Sequence, residues 1–206
     1  LNAIVGFSEV IAHTESECER EEYLDIVKAN SNLLLHLIND ILDLSRIESG
    51  KMEFIDENIQ MDELCEELRQ MHQMRIKNDV KIIFERPAAS LTIVSDSHRL
   101  RQLYSNLISN AIKYTEKGAI TFGYKLKGDM MEGYVRDSGS GIPAEKLNNV
   151  FGRFEKLDLL KQGFGLGLSI CKSILDKMGG EIWVESELGV GSCFYFLIPC
   201  NGTFPV

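Results

Sequence analysis

The sequence lacks both an excess of basic residues and long apolar runs. Lys and Arg together number 22 against 31 Asp and Glu, which gives a formal net charge of -9 at pH 7. General nucleic-acid binding usually requires a basic surface, so this balance argues against a nucleic-acid partner. No apolar segment reaches the roughly 18 residues of a membrane-spanning helix. We therefore expect any membrane attachment to come only from segments outside this chain.

Paired cysteines and the common nucleotide-binding motifs are also absent. The 5 cysteines are scattered, without a C-x-x-C pair, which indicates a reducing compartment and provides no disulfide or metal framework. We accordingly expect a cytoplasmic location. Neither the P-loop spacing G-x-x-x-x-G-K-[ST] nor the dinucleotide-binding spacing G-x-G-x-x-G occurs. What is present is a chain of 206 residues, 44% of them hydrophobic, enough for one or two domains with a core.

The first 50 residues carry only helical patterns. One helix is expected to end near His13, and a second runs from about Glu19 to Ser49, where Gly50 terminates it. Its apolar stripe is wide enough for a four-helix bundle, so we predict that this hairpin forms half of a dimeric bundle. The stripe is formed by Ile26, Val27, Asn30, Leu33, Leu34, Leu37, Ile38, Ile41, Leu44 and Ile47.

Mixed strand and helix patterns begin after Gly50-Lys51, and we place a domain boundary there, between residues 1–50 and 51–206. Asp62 is a predicted helix N-cap, and that helix is expected to turn Leu68, Met71 and Met74 inward. Strands are predicted near residues 52–58, 80–85, 91–94, 119–127, 131–136, 181–185 and 193–198, and helices near 62–77, 98–115 and 166–178, with a short helix from Pro143.

Polar side chains line one face of the helix predicted over residues 98–115. Asn106, Asn110 and Lys113 follow one another at spacings of four and three residues, which places them on the same face. Carboxamide oxygens can ligate Mg²⁺, which also takes phosphate oxygens, and an ammonium can neutralise a phosphate. A solvated helix face is the alternative explanation of this pattern.

Two glycine-rich loops follow this helix. Residues 137–143, Asp-Ser-Gly-Ser-Gly-Ile-Pro, join a strand to a helix, and Asp137 is an acceptor suited to an exocyclic amine such as that of adenine. Residues 163–168, Gly-Phe-Gly-Leu-Gly-Leu, open a helix whose N-terminal N–H groups can hold phosphate. Between the loops, Phe151 and Phe154 can anchor a segment that carries Arg153 and Lys156. Tight turns and ordinary aromatic packing are the alternatives.

Together, in this order and spacing, these segments resemble the catalytic domain of sensor histidine kinases. Residues 106–115 resemble the N box of that family, 137–141 its G1 box, 151–154 its F box and 163–167 its G2 box. Residues 189–194 resemble its closing glycine turn and last strand. In the hairpin, residues 1–4 and 42–50 resemble parts of the dimerisation helices that carry the phosphoacceptor His. The resemblance covers nearly the whole chain.

The resemblance implies an α+β protein, in which the hairpin precedes a Bergerat-type α/β sandwich, a mixed sheet covered by helices. It implies that Asn110 ligates Mg²⁺, that Asn106 and Lys113 act in catalysis near the phosphates, and that residues 143–163 form a mobile lid over ATP. The implied nucleotide-binding set is Asn106, Asn110, Lys113, Tyr114, Asp137, Gly139, Gly141, Ile142, Arg153, Phe154, Gly163, Gly165, Leu166, Gly167 and Leu168.

The sequence departs from the family in two places. Phe164 stands where the G2 box usually has Ser or Thr, and the expected acceptor His would lie upstream of Leu1. We interpret His36 as a helix-face residue and His13, His72 and His98 as surface residues. The resemblance implies a homodimer that receives a phosphoryl group from ATP and passes it to a response-regulator receiver domain. It also implies the cytoplasmic part of a membrane-bound sensor.

Two other functions remain as alternatives. ATPases of the gyrase, mismatch-repair and chaperone type share this fold, but they place a Glu one turn before the metal-binding Asn to activate water. Asn106 occupies that position here and cannot take up the proton, which disfavours hydrolysis. A pseudokinase scaffold is the second alternative, and Phe164 is the feature that favours it.

Overall fold

A helical hairpin and a helix-covered mixed sheet follow one another along the chain. The computed structural model describes residues 2–76, 79–155 and 164–200. The chain divides into two units, Leu1–Lys51 and Met52–Val206. None of the helices in the described ranges is both long and apolar enough to cross a membrane.

The first unit consists of α1 (Asn2–His13) and α2 (Glu17–Glu48). Ser16 caps α2, because its side-chain oxygen accepts a hydrogen bond from the Glu19 N–H at 3.5 Å. Gly50, at φ 67°, follows the end of α2 in the left-handed conformation expected of a terminating glycine. The rings of Phe7 and Tyr23 lie 5.5 Å apart and join the two helices.

The hairpin leaves much of its apolar surface in solvent. None of the side chains of α1 is buried, and Ile41 of the predicted stripe is 49% exposed. An apolar surface of this kind on a helix pair is typical of an element that packs against another one. The exposed large apolar residues of the hairpin are Val5, Val10, Leu24, Leu35, Ile38, Ile41 and Leu42.

The second unit contains a five-stranded mixed sheet and a two-stranded sheet. The elements are β1 (Glu57–Gln60), α3 (Met61–Gln73), β2 (Val80–Glu85), β3 (Thr92–Ser95), α4 (Ser97–Tyr114), β4 (Gly118–Lys127), β5 (Met130–Asp137), a 3₁₀ helix (Ala144–Asn149), α5 (Gly167–Lys177), β6 (Glu181–Glu187) and β7 (Gly191–Pro199). The larger sheet has the strand order β2-β4-β5-β7-β6, with β2 parallel to β4 and every other pair antiparallel. The smaller sheet pairs β1 with β3.

The core lies between α4 and the sheet. Tyr104 is fully buried, its ring packs edge-on against Phe122 and Phe196, and its hydroxyl donates to the Gly123 carbonyl at 2.9 Å. A buried phenol must satisfy its hydroxyl, so this bond fixes the position of the helix on the strands. The buried face of α4 consists of Arg99, Leu100, Leu103, Tyr104, Leu107, Ile108 and Ala111.

The strand predicted over residues 52–58 is wrong for its first part. Only Glu57–Gln60 form β1, and the N–H of Ile55 instead donates to Asp96 Oδ2 at 3.0 Å. The other oxygen of Asp96 accepts from the Arg99 N–H at 2.9 Å and caps α4. The Asp96 carboxylate therefore caps α4 and also binds the backbone of Ile55. The N–H of Ile55 is then not available for pairing with another strand.

The prediction for α3 needs three corrections. Asp62 is not its N-cap, which is Gln60, and Asp62 instead accepts from the Tyr124 hydroxyl at 2.6 Å. Met71 and Met74 are 52% and 87% exposed, whereas His72, predicted to lie on the surface, is 1% exposed. Met71 lies within α3 but off its buried stripe, which continues from Leu68 to His72, and Met74 lies beyond the last helical residue, Gln73.

Protonation of His72 is expected to destabilise the second unit. Burial, with the charge of Arg75 as a smaller cause, lowers the pKa of His72 to about 4, and its Nε2 lies 3.4 Å from Ser105 Oγ. An unfolded chain takes up this proton near pH 6.5, so stability should fall as pH decreases from about 6.5 towards 4, by up to about 1.4 kcal/mol per pH unit.

The measurement is urea unfolding at several pH values, followed by the fluorescence of Trp183, the single tryptophan. His72→Gln should flatten the pH dependence over this window, while His98→Gln, at an exposed position of α4, should leave it unchanged. An identical pH slope in His72→Gln and the unmodified chain would contradict the assignment.

Candidate functional site

The polar face of α4 lies beside its buried face. Asn106, Asn110 and Lys113 are all half-buried there. Asn106 Nδ2 donates to the Gly167 carbonyl, the first residue of α5, at 3.4 Å. The predicted N box therefore contacts the end of the second glycine loop, although 61 residues separate Asn106 from Gly167.

The C-terminal end of α4 holds the first glycine loop. The Tyr114 carbonyl accepts from the Ser140 N–H at 3.3 Å. A Cβ on Gly139 would lie 2.5 Å from the same carbonyl oxygen, so only glycine allows this close approach. Lys113 Nζ lies 4.9 Å from the centre of the Tyr114 ring, in a cation–π arrangement. Tyr114 thus joins the helix, the loop and a cationic group.

Asp137 ends β5 as a buried carboxylate. Its side chain is 7% exposed, and Oδ1 accepts from the Gly139 N–H at 2.9 Å. Burial raises the pKa of Asp137, while the backbone hydrogen bonds of Gly139 and Ser192 oppose the shift. A buried carboxylate with remaining acceptor capacity is costly, and such groups concentrate at functional sites.

The turn between β6 and β7 supports the same loop. The N–H of Ile142 donates to Ser186 Oγ at 2.8 Å, and the N–H of Gly189 donates to the Ser140 carbonyl at 2.8 Å. Ser186 Oγ also lies 2.9 Å from Ser192 Oγ. The sequence predicts no role for Ser186 or Ser192, and the resemblance of residues 189–194 to the closing glycine turn is the feature that indicates this turn.

The predicted F box contacts the second glycine loop. The N–H of Phe154 donates to the Gly165 carbonyl at 2.9 Å, and Phe154 has a positive φ of 60°. Phe154 is 66% exposed and Arg153 is also exposed, so neither side chain is buried in a preformed site. Phe151 instead packs edge-on against Phe194, with ring centres 6.3 Å apart.

Other predicted members of this region lie around the start of α5. Leu166 is buried, and Gly165, Gly167 and Leu168 are half-buried. Gly163 lies outside the described residues, as does the part of the predicted lid at residues 156–163.

The hydroxyl of Thr115, just beyond α4, is buried and has no hydrogen-bond partner within the described ranges. Three hydrogen bonds bring the four predicted boxes together in one region. They join Ser140 to Tyr114, Asn106 to Gly167, and Phe154 to Gly165.

The residues of this region suit a purine nucleotide. Asp137 provides a buried acceptor, the two loops provide backbone N–H groups next to a helix start, and Asn110 provides a neutral oxygen. A magnesium ion bound here would use Asn110 together with phosphate oxygens, which is how Mg²⁺ is usually held at nucleotide sites.

Comparison with known proteins agrees with this geometry. The family described as Histidine kinase-, DNA gyrase B-, and HSP90-like ATPase matches residues 95–202, and the chain belongs to that class of ATP-binding domains. The family described as His Kinase A (phospho-acceptor) domain matches residues 1–50. The two matches together make the chain a sensor histidine kinase core, a phosphoacceptor-domain hairpin followed by a catalytic domain.

Relatives of known structure and sequence cover nearly the whole chain. Hybrid signal transduction histidine kinase B of Dictyostelium discoideum is 37% identical over 212 residues, which is 98% of this chain and 11% of that protein. Full-length ShkA, solved with AMPPNP, matches with a TM-score of 0.80 and 26% identity over 99% of this chain and 44% of its own. ThkA, solved with the response regulator protein TrrA, matches with a TM-score of 0.76 and 26% identity, over 97% and 57%. The chain therefore spans less than two thirds of each of these relatives.

Gly141→Ala should destabilise the second unit more than Gly189→Ala does. Both glycines have positive φ, 65° and 84°, so both substitutions carry a backbone cost of about 1–2 kcal/mol. A Cβ at Gly141 would also overlap the carbonyl of Glu187, whereas nothing lies within 4 Å of a Cβ at Gly189. Urea unfolding measures the difference, and equal losses in both variants would show that the first glycine loop does not pack tightly on β6.

Proposed function

We propose that the second unit binds Mg-ATP between α4 and the two glycine loops, and transfers the γ-phosphoryl group to a His of the dimerisation helix. The observation that carries this proposal is the buried Asp137 carboxylate, which lies beneath a loop held by Tyr114 and by the β6–β7 turn. The ShkA structure, solved with an ATP analogue, supports it. In this proposal residues 1–50 are the dimerisation and phosphoacceptor hairpin and residues 51–206 the catalytic domain.

Each residue of the site has a proposed task. Asp137 accepts a hydrogen bond from the adenine amine, and Gly139, Gly141 and Ile142 shape the loop around the base. Asn110 ligates Mg²⁺, which neutralises phosphate charge when bound, while Lys113 and Asn106 position the phosphates. The N–H groups around Gly165 and Gly167 hold phosphate oxygens at the start of α5. Because Phe164 has no hydroxyl, these backbone groups carry that contact alone.

The transfer itself requires positioning more than acid–base chemistry by this unit. A neutral imidazole nitrogen attacks the γ-phosphorus, the bond from that phosphorus to the bridging oxygen breaks, and ADP leaves. The acceptor is proposed to precede Leu1, so the present chain binds ATP without labelling itself. A receiver-domain Asp then takes the phosphoryl group, and the ThkA complex with TrrA supports a partner of this kind.

The hairpin is proposed to form a homodimer through its exposed apolar stripe. Ile38, Ile41 and Leu42 are 45%, 49% and 50% exposed along α2. A second copy of the hairpin would complete a four-helix bundle and remove this stripe from water. We further propose that the protein works in the cytoplasm, attached to a membrane only through segments outside this chain.

Water-activating ATPases are a less suitable class for this site. They need a carboxylate one helical turn before the metal-binding Asn, and Asn106 stands there with its amide nitrogen donating to Gly167. A carboxamide cannot accept the proton of an attacking water. A scaffold without nucleotide binding is favoured only by Phe164, and a nucleotide titration separates it from the kinase.

Asp137→Asn should abolish ATP binding while the unit keeps its fold. An amide can present a donor to the adenine amine, and a mismatched buried hydrogen bond costs about 1–3 kcal/mol. Burial raises the pKa of Asp137 in the folded state, so its charge weakens folding above that pKa, and the neutral variant should be at least as stable at pH 7. Calorimetry and urea unfolding measure both effects, with Asp129→Asn, at an exposed turn, as the control. Unchanged affinity in Asp137→Asn would remove the adenine role.

Asn110→Ala should remove most of the ATP affinity that depends on magnesium, because the carboxamide oxygen is the proposed ligand. Nucleotide affinity is measured in Mg²⁺ and in chelator, where the variant should match the unmodified chain. Asn58→Ala, at an exposed carboxamide of β1, is the matched control. An equal loss of affinity under both conditions, or no loss, would show that Asn110 is not a metal ligand.

The chain alone should bind ATP without acid-labile phosphorylation, whereas an N-terminally extended chain should be labelled and should dimerise more tightly. Both properties are proposed to depend on helical turns that the extension adds before Leu1. The measurements are incorporation of γ-labelled phosphate and sedimentation over a range of concentrations. Strong acid-labile labelling of the present chain would instead identify one of its own 4 histidines as the acceptor.

A further inference from the structure

A buried thiol contacts the first asparagine of the N box. Cys171 lies on α5, one turn after Gly167, and is fully buried. Asn106 Nδ2 donates to Cys171 Sγ at 3.7 Å, and the thiol in turn donates to the Leu103 carbonyl at 4.0 Å. With its second bond to the Gly167 carbonyl, the amide nitrogen of Asn106 is directed towards α5 by two acceptors.

Fixing the nitrogen of a carboxamide also fixes its oxygen. The amide group is planar, with two donor hydrogens on one side and an acceptor oxygen on the other. Both contacts of Nδ2 are on α5, and Oδ1 lies beside the start of the same helix, 3.8 Å from where a Cβ on Gly167 would stand. A thiol is able to accept from Nδ2 and donate to a carbonyl at the same time, which a methyl or isopropyl group is not.

We propose that Cys171 is a positioning residue, which holds the Asn106 carboxamide with its oxygen towards the metal and phosphate region and so links α5 to α4. This inference rests on the proposed function, because it assigns a task to Asn106 in Mg-ATP binding. The link spans the two parts of the site that bind phosphate, the N-box helix and the start of α5. Removal of the thiol leaves the amide with the Gly167 contact alone and lets it rotate.

Cys65 provides a matched comparison, because a free buried cysteine is often only a small apolar residue that fills the core. It is also a free and fully buried cysteine, but it lies on α3. If Cys171 only fills space, Cys171→Ala and Cys65→Ala should both lower stability and leave the magnesium dependence of nucleotide affinity unchanged. If Cys171 positions Asn106, the two variants should differ.

The first test measures the affinity for an ATP analogue in Mg²⁺ and in chelator. Cys171→Ala should lower the affinity in Mg²⁺ by about three- to tenfold, the effect of one lost hydrogen bond, and change the affinity in chelator by less than about twofold. Cys171→Ser, which retains a donor and an acceptor, should restore the value measured in Mg²⁺. Cys65→Ala should not change the ratio of the two affinities. An unchanged ratio in Cys171→Ala would overturn the proposal.

The second test does not depend on nucleotide binding. The side-chain NH₂ resonances of Asn106, assigned by their loss in Asn106→Leu, should shift and exchange faster with solvent in Cys171→Ala, but not in Cys65→Ala. If the unmodified chain binds no nucleotide, the proposed function fails, and these resonances still decide whether Cys171 holds Asn106. Resonances of Asn106 that are unmoved in Cys171→Ala would refute the contact.

Discussion

The packing of α4 on the five-stranded sheet is the constraint on which the site depends. A helix has a fixed period, so burying Leu103, Leu107 and Ile108 determines the directions of the other side chains of α4. The hydroxyl of Tyr104, bonded to the Gly123 carbonyl, allows only one depth and rotation of the helix. Asn106, Asn110 and Lys113 therefore have their positions set by apolar packing rather than by contacts among themselves.

The first glycine loop contains a residue, Asp137, whose burial is expected to lower the stability of the fold. Asp137 is removed from water, and its carboxylate is only partly compensated by backbone N–H groups. Hydrogen bonds of neighbouring loop residues offset the unfavourable burial of this carboxylate. The Ser140 N–H donates to the Tyr114 carbonyl, and the Ile142 N–H donates to the Ser186 hydroxyl. A buried acceptor of this kind is typical of a binding site, since no gain in stability accounts for its burial.

The sequence predicted helices and strands well where apolar residues recur at a single spacing. It predicted them poorly where a side chain takes the hydrogen bond that another strand would have made. The hairpin, α4 and β2 have unambiguous patterns, and the structure contains them. Asp96 takes the N–H of Ile55 out of a predicted strand, and α3 buries His72 and ends at Gln73, which leaves Met71 exposed and Met74 outside the helix. Each of these outcomes depends on a partner more than 30 residues away or on where a helix stops, which local periodicity does not record.

The candidate site was predictable where glycines or carboxamides recur at a characteristic spacing in the sequence. The loops carrying Gly139, Gly141 and Gly165 and the polar face of α4 were identified from that spacing, whereas Ser186 and Cys171 were not, because a lone serine or cysteine gives no signal before the fold places it. Phe154 shows the reverse case, a residue chosen by its motif whose side chain is exposed.

The position of β7 has a consequence for the synthesis of the protein. Among the strands of the described residues it comes last along the chain, yet it lies inside the sheet, between β5 and β6. Its N-terminal turn also supports the loop that holds Asp137. While a ribosome is still translating this strand, β5 has an open edge and the first glycine loop lacks half of its support. The proposed nucleotide site is therefore completed only when β7 has left the ribosome and has inserted between β5 and β6.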